Sequence, residues 1–69
     1  MRLVHDKTNV PVKIGEKLTT FRGEVVTLRG CEPPRNPAST GKIHVSFEGE
    51  EVINTFYPSV CNLHWEGVL

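Results

Sequence analysis

The chain lacks the features that mark a membrane, secreted or helical protein. It has no apolar run long enough for a signal peptide or a membrane-spanning helix. No extended segment repeats its apolar side chains at helical spacing, and there is no internal repeat or low-complexity tract. With only two cysteines among 69 residues, a framework of several disulfides is excluded. We therefore expect a cytoplasmic protein with free thiols and no membrane partner.

Basic residues are absent beyond Lys42, although eight basic and eight acidic residues give the whole chain a formal charge of zero. The neutral total gives no overall attraction to nucleic acid. Residues 1–42 hold all eight basic residues and four acids and carry +4, whereas residues 43–69 hold four acids and carry −4. This asymmetry predicts either a bipolar molecule, with a basic face or with head-to-tail assembly, or strands of both halves that mix the charge in space, which we favour.

Large apolar side chains are scarce as well, because apolar residues make up 38% of the chain and aromatic residues 7%. A domain this small buries only about 60% of the surface that its unfolded chain exposes. We expect one domain over residues 1–69 in which nearly every apolar side chain is needed for the core. Few remain to line a deep pocket, and this indicates a protein that is not an enzyme and has no cofactor.

What the chain does contain is a series of short strand-like segments bounded by glycine, proline and other turn residues. They cover residues 2–5, 10–14, 17–21, 24–29, 42–47, 51–57 and 62–65. A short helical turn is predicted over 58–60, since proline suits the first position of a helix. Five to six short antiparallel strands favour a small all-β barrel, because closing the sheet removes exposed edges.

The segment 42–47 has the clearest alternation of apolar and polar residues. Ile43, Val45 and Phe47 are predicted to face the core. The two polar residues between them, at positions 44 and 46, are predicted to face outward. A turn at 48–50, in which glycine can take a positive φ, predicts a hairpin to the next strand.

One long loop, residues 31–41, separates two of the predicted strands and holds three of the five prolines. Pro33, Pro34 and Pro37 fix φ and remove backbone donors, so we expect a stiff loop without regular structure. Such a loop covers one end of the fold or contacts a partner from a rigid scaffold. Pro34 and Pro37 also match the minimal PxxP form of a proline-rich ligand. Arg35 is the loop residue that we expect to contact a partner, because its guanidinium can grip a carboxylate or a phosphate.

The layout from Gly15 to Trp65 resembles an SH3-like barrel of the Tudor or KOW kind. More narrowly, three sequence segments together with Trp65 resemble small uncharacterised bacterial and phage proteins. The segments are Phe21-Arg-Gly-Glu24, Glu32-Pro-Pro-Arg-Asn-Pro-Ala-Ser-Thr-Gly-Lys42 and Phe56-Tyr-Pro-Ser-Val60. The resemblance covers residues 15–65 and implies an SH3-like barrel, but it transfers no activity. The chain lacks the Ala-Leu-Tyr-Asp-Tyr opening and the paired acidic loop residues of SH3 domains that bind proline-rich peptides.

Four side chains are candidate metal ligands: Cys31, His44, Cys61 and His64. Cys61 and His64 have the two-residue gap that zinc sites use, but no such gap joins Cys31 to His44. The alternatives are unrelated thiols and imidazoles, which we favour, or a disulfide between the two cysteines. A catalytic Cys61–His64 pair would also need an oxyanion loop and an orienting acid, and the sequence predicts neither.

The aromatic and basic residues suggest two binding surfaces. Tyr57 and Trp65 each carry a polar atom and suit a surface patch, such as the aromatic cage that Tudor-like barrels form around methylated lysine or arginine. The other three aromatics, at positions 21, 47 and 56, are expected in the core. A basic strip for nucleic acid is predicted from the cations in and beside the central strands. They are Arg22, Arg29, Arg35 and Lys42.

These patterns favour a non-enzymatic binding or adaptor module that acts through the 31–41 loop and adjacent outward residues, with a protein as its partner. One alternative is a small barrel that binds nucleic acid. Another is a structural or accessory protein of a phage or prophage that oligomerises through its opposed charges. The candidate binding residues are Arg22, Arg29, Arg35, Lys42, Tyr57 and Trp65.

Overall fold

The computed structural model describes residues 1–36 and 38–67, which fold into two antiparallel sheets with a short 3₁₀ helix. The strands are β1 (Arg2–His5), β2 (Lys17–Thr19), β3 (Val25–Glu32), β4 (Lys42–Phe47), β5 (Ile53–Phe56) and β6 (Leu63–Glu66), and the 3₁₀ helix is Pro58–Cys61. One sheet pairs β1 with β6, and the other has the order β2-β3-β4-β5. The all-β prediction is confirmed. Within the described residues neither sheet closes on itself, so the predicted barrel of five to six strands is not confirmed.

Local turn chemistry explains why β2 to β5 follow one another across the sheet. Between β2 and β3, the Thr20 hydroxyl accepts hydrogen bonds from the backbone N–H groups of Arg22 and Glu24 at 3.3 and 3.2 Å. The turn closes when the Thr20 N–H donates to the Glu24 carbonyl at 2.8 Å. Between β4 and β5, Gly49 has a φ of 83°, which a glycine adopts without the cost that a side chain would add.

The core lies where the inner faces of the two sheets meet. It consists of Leu3, Leu18, Val26, Leu28, Ile43, Val45, Cys61 and Leu63. Val26 and Leu28 of β3 and Ile43 and Val45 of β4 are almost fully buried, as the alternation of these strands predicts. The rings at positions 47 and 56 are half-buried against this core and meet edge to face, with centroids 6.1 Å apart.

Two backbone hydrogen bonds outside the strand ladders fix the segments on either side of the 3₁₀ helix. The N–H of Phe21 donates to the carbonyl of Val60 at 2.9 Å, and the N–H of Asp6 donates to the carbonyl of Asn62 at 2.9 Å. The first bond fixes the β2–β3 turn against the 3₁₀ helix. The second fixes the end of β1 beside the start of β6. The first bond thus joins the four-stranded sheet to the 3₁₀ helix that leads into β6.

Three local predictions are wrong. Residues 10–14 form no strand, because Pro11 makes only an isolated bridge to Val4, and the flanking segment remains largely exposed. The loop begins at 33 rather than 31, since β3 continues through Cys31 and Glu32 after a bulge. A residue before proline favours extended backbone, which a strand end provides. Ser46 is only 7% exposed, because it pairs between strands at the centre of the larger sheet and its neighbours cover its small side chain.

Two other predictions are confirmed. The predicted helical turn is the 3₁₀ helix, and it begins at Pro58. The turn at 48–50 joins β4 to β5 as a hairpin. In the part of the chain that the structure describes, no helix has the length and apolar content to cross a membrane.

Candidate binding surface

A shallow apolar groove of about 350 Å³ lies between the loop 33–41, the 3₁₀ helix and β6. Its apolar walls come from Pro34, Pro58, Leu63 and Trp65. The two prolines and Leu63 are buried and Trp65 is half-buried, so the walls are fixed by the fold. We call this surface the tryptophan groove. Pro37, and with it the second position of the PxxP match, lies outside the described residues.

Trp65 anchors the loop to β6. Its indole N–H donates a hydrogen bond to the carbonyl of Thr40 at 2.9 Å. The next residue, Gly41, has a φ of 68°, and a Cβ there would lie 2.7 Å from the indole nitrogen and 2.5 Å from the Glu32 carbonyl oxygen. Real Cβ atoms essentially never approach so closely, so the loop meets the indole at this distance only because residue 41 is glycine.

The rest of the loop is held by its own polar groups. The side-chain oxygen of Asn36 accepts a hydrogen bond from the N–H of Ala38 at 3.0 Å, and its backbone carbonyl accepts one from the N–H of Ser39 at 3.0 Å. The hydroxyl of Ser39 in turn accepts from the N–H of Gly41 at 3.2 Å. Together with the prolines, these bonds give the described part of the loop a defined shape.

The tryptophan groove continues into a polar cleft. The cleft is lined by Ala38, Ser39, Thr40, Lys42, Tyr57 and Ser59. Three hydroxyl residues, Ser39, Thr40 and Ser59, line both depressions. We call the second depression the hydroxyl cleft. The two form one surface on which apolar walls, hydroxyl groups and the Lys42 ammonium follow one another.

Two cations beside this surface form no ion pair with a carboxylate of the described residues. Arg35 and Lys42 line a further depression together with Glu32, yet neither cation forms an ion pair with a carboxylate of the described residues. The Glu32 carboxylate instead lies 2.8 Å from Nε2 of His44. Nδ1 of the same imidazole lies 3.1 Å from the Thr55 hydroxyl. With two cations against the one carboxylate of Glu32, this rim carries a net positive charge.

Three of the six candidate binding residues, Lys42, Tyr57 and Trp65, line the tryptophan groove or the hydroxyl cleft, and Arg35 lines the neighbouring depression. Arg22 does not line it, because it lies in the β2–β3 turn with its guanidinium 5.6 Å from the ring centroid of Phe21. Arg29 is exposed on β3 and lines none of the three depressions. The predicted strip of four cations is thus reduced to two that lie together. Phe21, which was expected in the core, is 68% exposed, because its turn lies at the edge of the fold.

The four candidate metal ligands lie apart. His44 contacts Glu32, and Nδ1 of His64 lies 2.6 Å from Oδ1 of Asp6. Both cysteines are free thiols, Cys31 on the surface and Cys61 in the core. Among residues 1–36 and 38–67, no three histidine, cysteine, aspartate or glutamate side chains come together as a metal-binding group.

The structure gives the Cys61–His64 pair no nucleophilic chemistry. Burial raises the pKa of the Cys61 thiol, so the thiolate is disfavoured at neutral pH. Asp6 lies against Nδ1 of His64 as an orienting acid would, but within the described residues no hydrogen bond joins the Cys61 thiol to this imidazole. A buried thiol that stays protonated and makes no hydrogen bond to the imidazole is not an activated nucleophile.

Sequence reasoning missed the walls of the groove and most of its hydroxyl groups. Pro34, Pro58 and Leu63 belong to three segments, and nothing in their local sequence predicts that they meet. The one available signal is Gly41, directly after Ser-Thr and directly before a strand, since glycine at such a junction often marks a close backbone approach. No protein-family model, curated protein or solved structure matches the chain.

Proposed function

We propose that this protein is a non-enzymatic binding module that holds an extended segment of a protein partner across the tryptophan groove and the hydroxyl cleft. The observation that carries the proposal is the continuity of the two depressions through Ser39, Thr40 and Ser59. An apolar side chain of the partner would be buried against Trp65 and Leu63. Polar groups of the same segment would bond to the hydroxyl groups, and an acidic group would lie near Lys42.

A fixed groove suits this role. Burying one apolar side chain contributes about 1.5–3 kcal/mol, which a binding site retains only if little free energy is lost in ordering the site itself. The Trp65–Thr40 hydrogen bond and the turn at Asn36 hold the described loop residues before any partner arrives. The partner therefore meets walls that need little rearrangement.

We further propose that the two sheets are parts of one SH3-like barrel. The pairing of β1 with β6, the meander of β2 to β5 and the 3₁₀ helix just before β6 support this. Recognition of proline-rich peptides is less suited to this surface. The Trp65 indole N–H already donates to Thr40 within the chain and is not free for the carbonyl group of a ligand. The loop is also unsuited to serve as a proline-rich ligand itself, because Pro34 of its PxxP match is buried.

A second candidate function is binding of single-stranded nucleic acid. It is favoured by Tyr57, which is 61% exposed and lines the hydroxyl cleft with Lys42. A base would stack on the tyrosine ring while phosphates meet Lys42 and Arg35. This site offers one exposed ring and two cations, and Arg22 and Arg29 do not extend it.

Amide-shift titration of ¹⁵N-labelled protein separates the two functions. One probe is a blocked hexapeptide with two glutamates beside valine and isoleucine, and its matched control has lysines in place of the glutamates. The other probe is a short mixed single-stranded oligonucleotide at about 50 and about 200 mM salt. We expect the acidic peptide to shift the Trp65 indole signal and the amides of 38–41, Tyr57, Ser59 and Val60. Shifts from the oligonucleotide alone that fade at the higher salt would replace the proposal with the nucleic-acid function.

A further inference from the structure

We infer that the occupant of the tryptophan groove and hydroxyl cleft is the β4–β5 hairpin of a second copy of this chain, so that the protein assembles head to tail. We define the acidic hairpin as residues 48–52. This inference rests on the proposed function, because it names the partner segment that enters the same groove.

The acidic hairpin has the chemistry that the groove requires. Glu50 and Glu51 are exposed and form no ion pair within the described residues, whereas Glu48 is bonded to the Lys17 ammonium at 2.8 Å. Val52 directly follows the two acids and is 65% exposed. An apolar side chain thus stands beside two carboxylates on an accessible segment. The turn at Gly49 presents this segment at the tip of a hairpin.

The groove has the complementary pattern. No acidic residue lines either the tryptophan groove or the hydroxyl cleft. The nearby cations, Arg35 and Lys42, form no ion pair with carboxylates of the described residues, and the neighbouring Glu32 faces His44. Val52 of one copy fits the apolar walls beside Trp65. Glu50 and Glu51 then lie against the positive rim, where opposite charge favours docking and excludes basic segments.

The two surfaces cannot meet within one copy. Lys42 is the first residue of β4, and the acidic hairpin follows its last residue, Phe47. A strand of that length separates them by about 20 Å, and β4 is held rigid by pairing with strands on both sides. Contact therefore takes place between copies. Because this contact joins two different patches, an open assembly keeps a free hairpin at one end and a free groove at the other. Assembly therefore continues until a ring closes or a filament forms.

The expected association is weak and depends on salt. The charged groups involved are exposed, and their attraction falls as salt shortens the screening length. Raising the salt from about 50 to about 500 mM should weaken the association about tenfold. Sedimentation velocity of the full chain over a wide range of protein concentration, at each salt concentration, measures the strength of the association and its salt dependence.

A charge-swap experiment identifies the surfaces. The hairpin variant is Glu50→Lys with Glu51→Lys, and the groove variant is Arg35→Glu with Ser59→Glu. All four positions are exposed. Lys42 is left in place, because it pairs with Glu32 across the ladder and a second glutamate there would repel it. The matched control is Glu24→Lys, which reverses an exposed acid on a different turn.

We expect the wild type and Glu24→Lys to associate alike. Each charge-swap variant alone should remain monomeric, because each sets like charges against each other. An equimolar mixture of the two variants should associate again, since the basic hairpin of one then meets the acidic groove of the other. A wild type that stays monomeric at every concentration and salt, or a mixture that does not associate, overturns the inference.

Circular dichroism of each variant shows whether it is folded before its mass is interpreted. The apolar-acidic hexapeptide distinguishes failure of this inference from failure of the proposed function. If the wild type is monomeric but the peptide shifts the Trp65 indole signal, the groove binds another partner and only the second-copy occupant is wrong. If neither the peptide nor a second copy perturbs Trp65, both are wrong.

Discussion

The indole nitrogen of Trp65 and the backbone of Gly41 approach so closely that any side chain at position 41 would collide with the ring. A Cβ at Gly41 would lie 2.7 Å from that nitrogen, which at the same time donates to the carbonyl of the preceding residue, Thr40. This one contact joins the loop to the last strand and forms a wall of the tryptophan groove. The stability of the fold and the shape of the binding surface therefore depend on the same pair of residues.

Replacement of Gly41 by alanine should destabilise the protein more than the same replacement at Gly49. Both glycines have positive φ, 68° and 83°, but a Cβ at Gly49 meets nothing within 4 Å. The left-handed conformation costs roughly 1–2 kcal/mol at either position, so the excess at Gly41 measures the collision with Trp65 and Glu32. Urea unfolding of the two variants gives the difference. Equal losses would show that the loop moves aside without cost.

Replacement of Trp65 by phenylalanine should release the loop. The ring remains apolar, but the hydrogen bond to Thr40 is lost, which costs about 1 kcal/mol of net stability. Amide hydrogen exchange should accelerate at residues 38–41 and not at 20–24, a turn that Trp65 does not hold. Unchanged exchange at 38–41 would mean that the bonds at Asn36 alone fix the loop.

The ion pair between His5 and Glu16 should make stability depend on pH in the acid range. The hydrogen bond from His5 at 2.6 Å is the main cause that lowers the pKa of Glu16 below its ordinary value of 4.5. A carboxyl whose pKa is lower in the folded state stabilises the fold above its unfolded pKa. That contribution is lost as the pH falls through the folded pKa.

Urea midpoints between about pH 3 and pH 6 test this dependence. Wild type should lose stability below about pH 4.5 more steeply than Glu16→Gln, which cannot titrate there. Glu24→Gln is the control, because Glu24 is exposed and forms no ion pair within the described residues. Parallel curves for wild type and Glu16→Gln would contradict the role of the pair.

The two cysteines should differ strongly in reactivity. Cys31 is exposed at the end of β3, whereas Cys61 is 3% exposed in the core and burial raises the pKa of its thiol. The thiolate is the reactive form and must be accessible to the reagent. Iodoacetamide followed by mass spectrometry should give a singly labelled protein at Cys31, with Cys61 labelled only in denaturant. Labelling of both at one rate would show that the core opens.

Local patterns predict most of the strands but not the groove. The strand 42–47 could be predicted from its alternation, because Ile43 and Val45 lie on the same face of the strand and both enter the core. Ser46 could not, since its burial depends on neighbours across two strand pairings. The groove is harder to predict from the sequence than either strand residue. Its walls at Pro34, Pro58 and Trp65 are brought together by long-range contacts, and no local pattern records which loop a tryptophan will meet.

Two exposed aromatic residues offer a direct test of where the partner binds. Tyr57 is 61% exposed and lines the hydroxyl cleft, whereas Phe21 is 68% exposed and lines neither the cleft nor the groove. Because both side chains are largely outside the core, replacing either one by alanine should change the free energy of unfolding by less than about 1 kcal/mol.

Tyr57→Ala should weaken binding of the apolar-acidic hexapeptide about three- to tenfold, since a ring that covers the bound segment is lost. Phe21→Ala should leave the affinity unchanged. Both affinities come from the same amide-shift titration that defines the site in the wild type. The opposite pattern, with the loss at Phe21, would move the binding surface to the β2–β3 turn, where Arg22 already lies over the Phe21 ring.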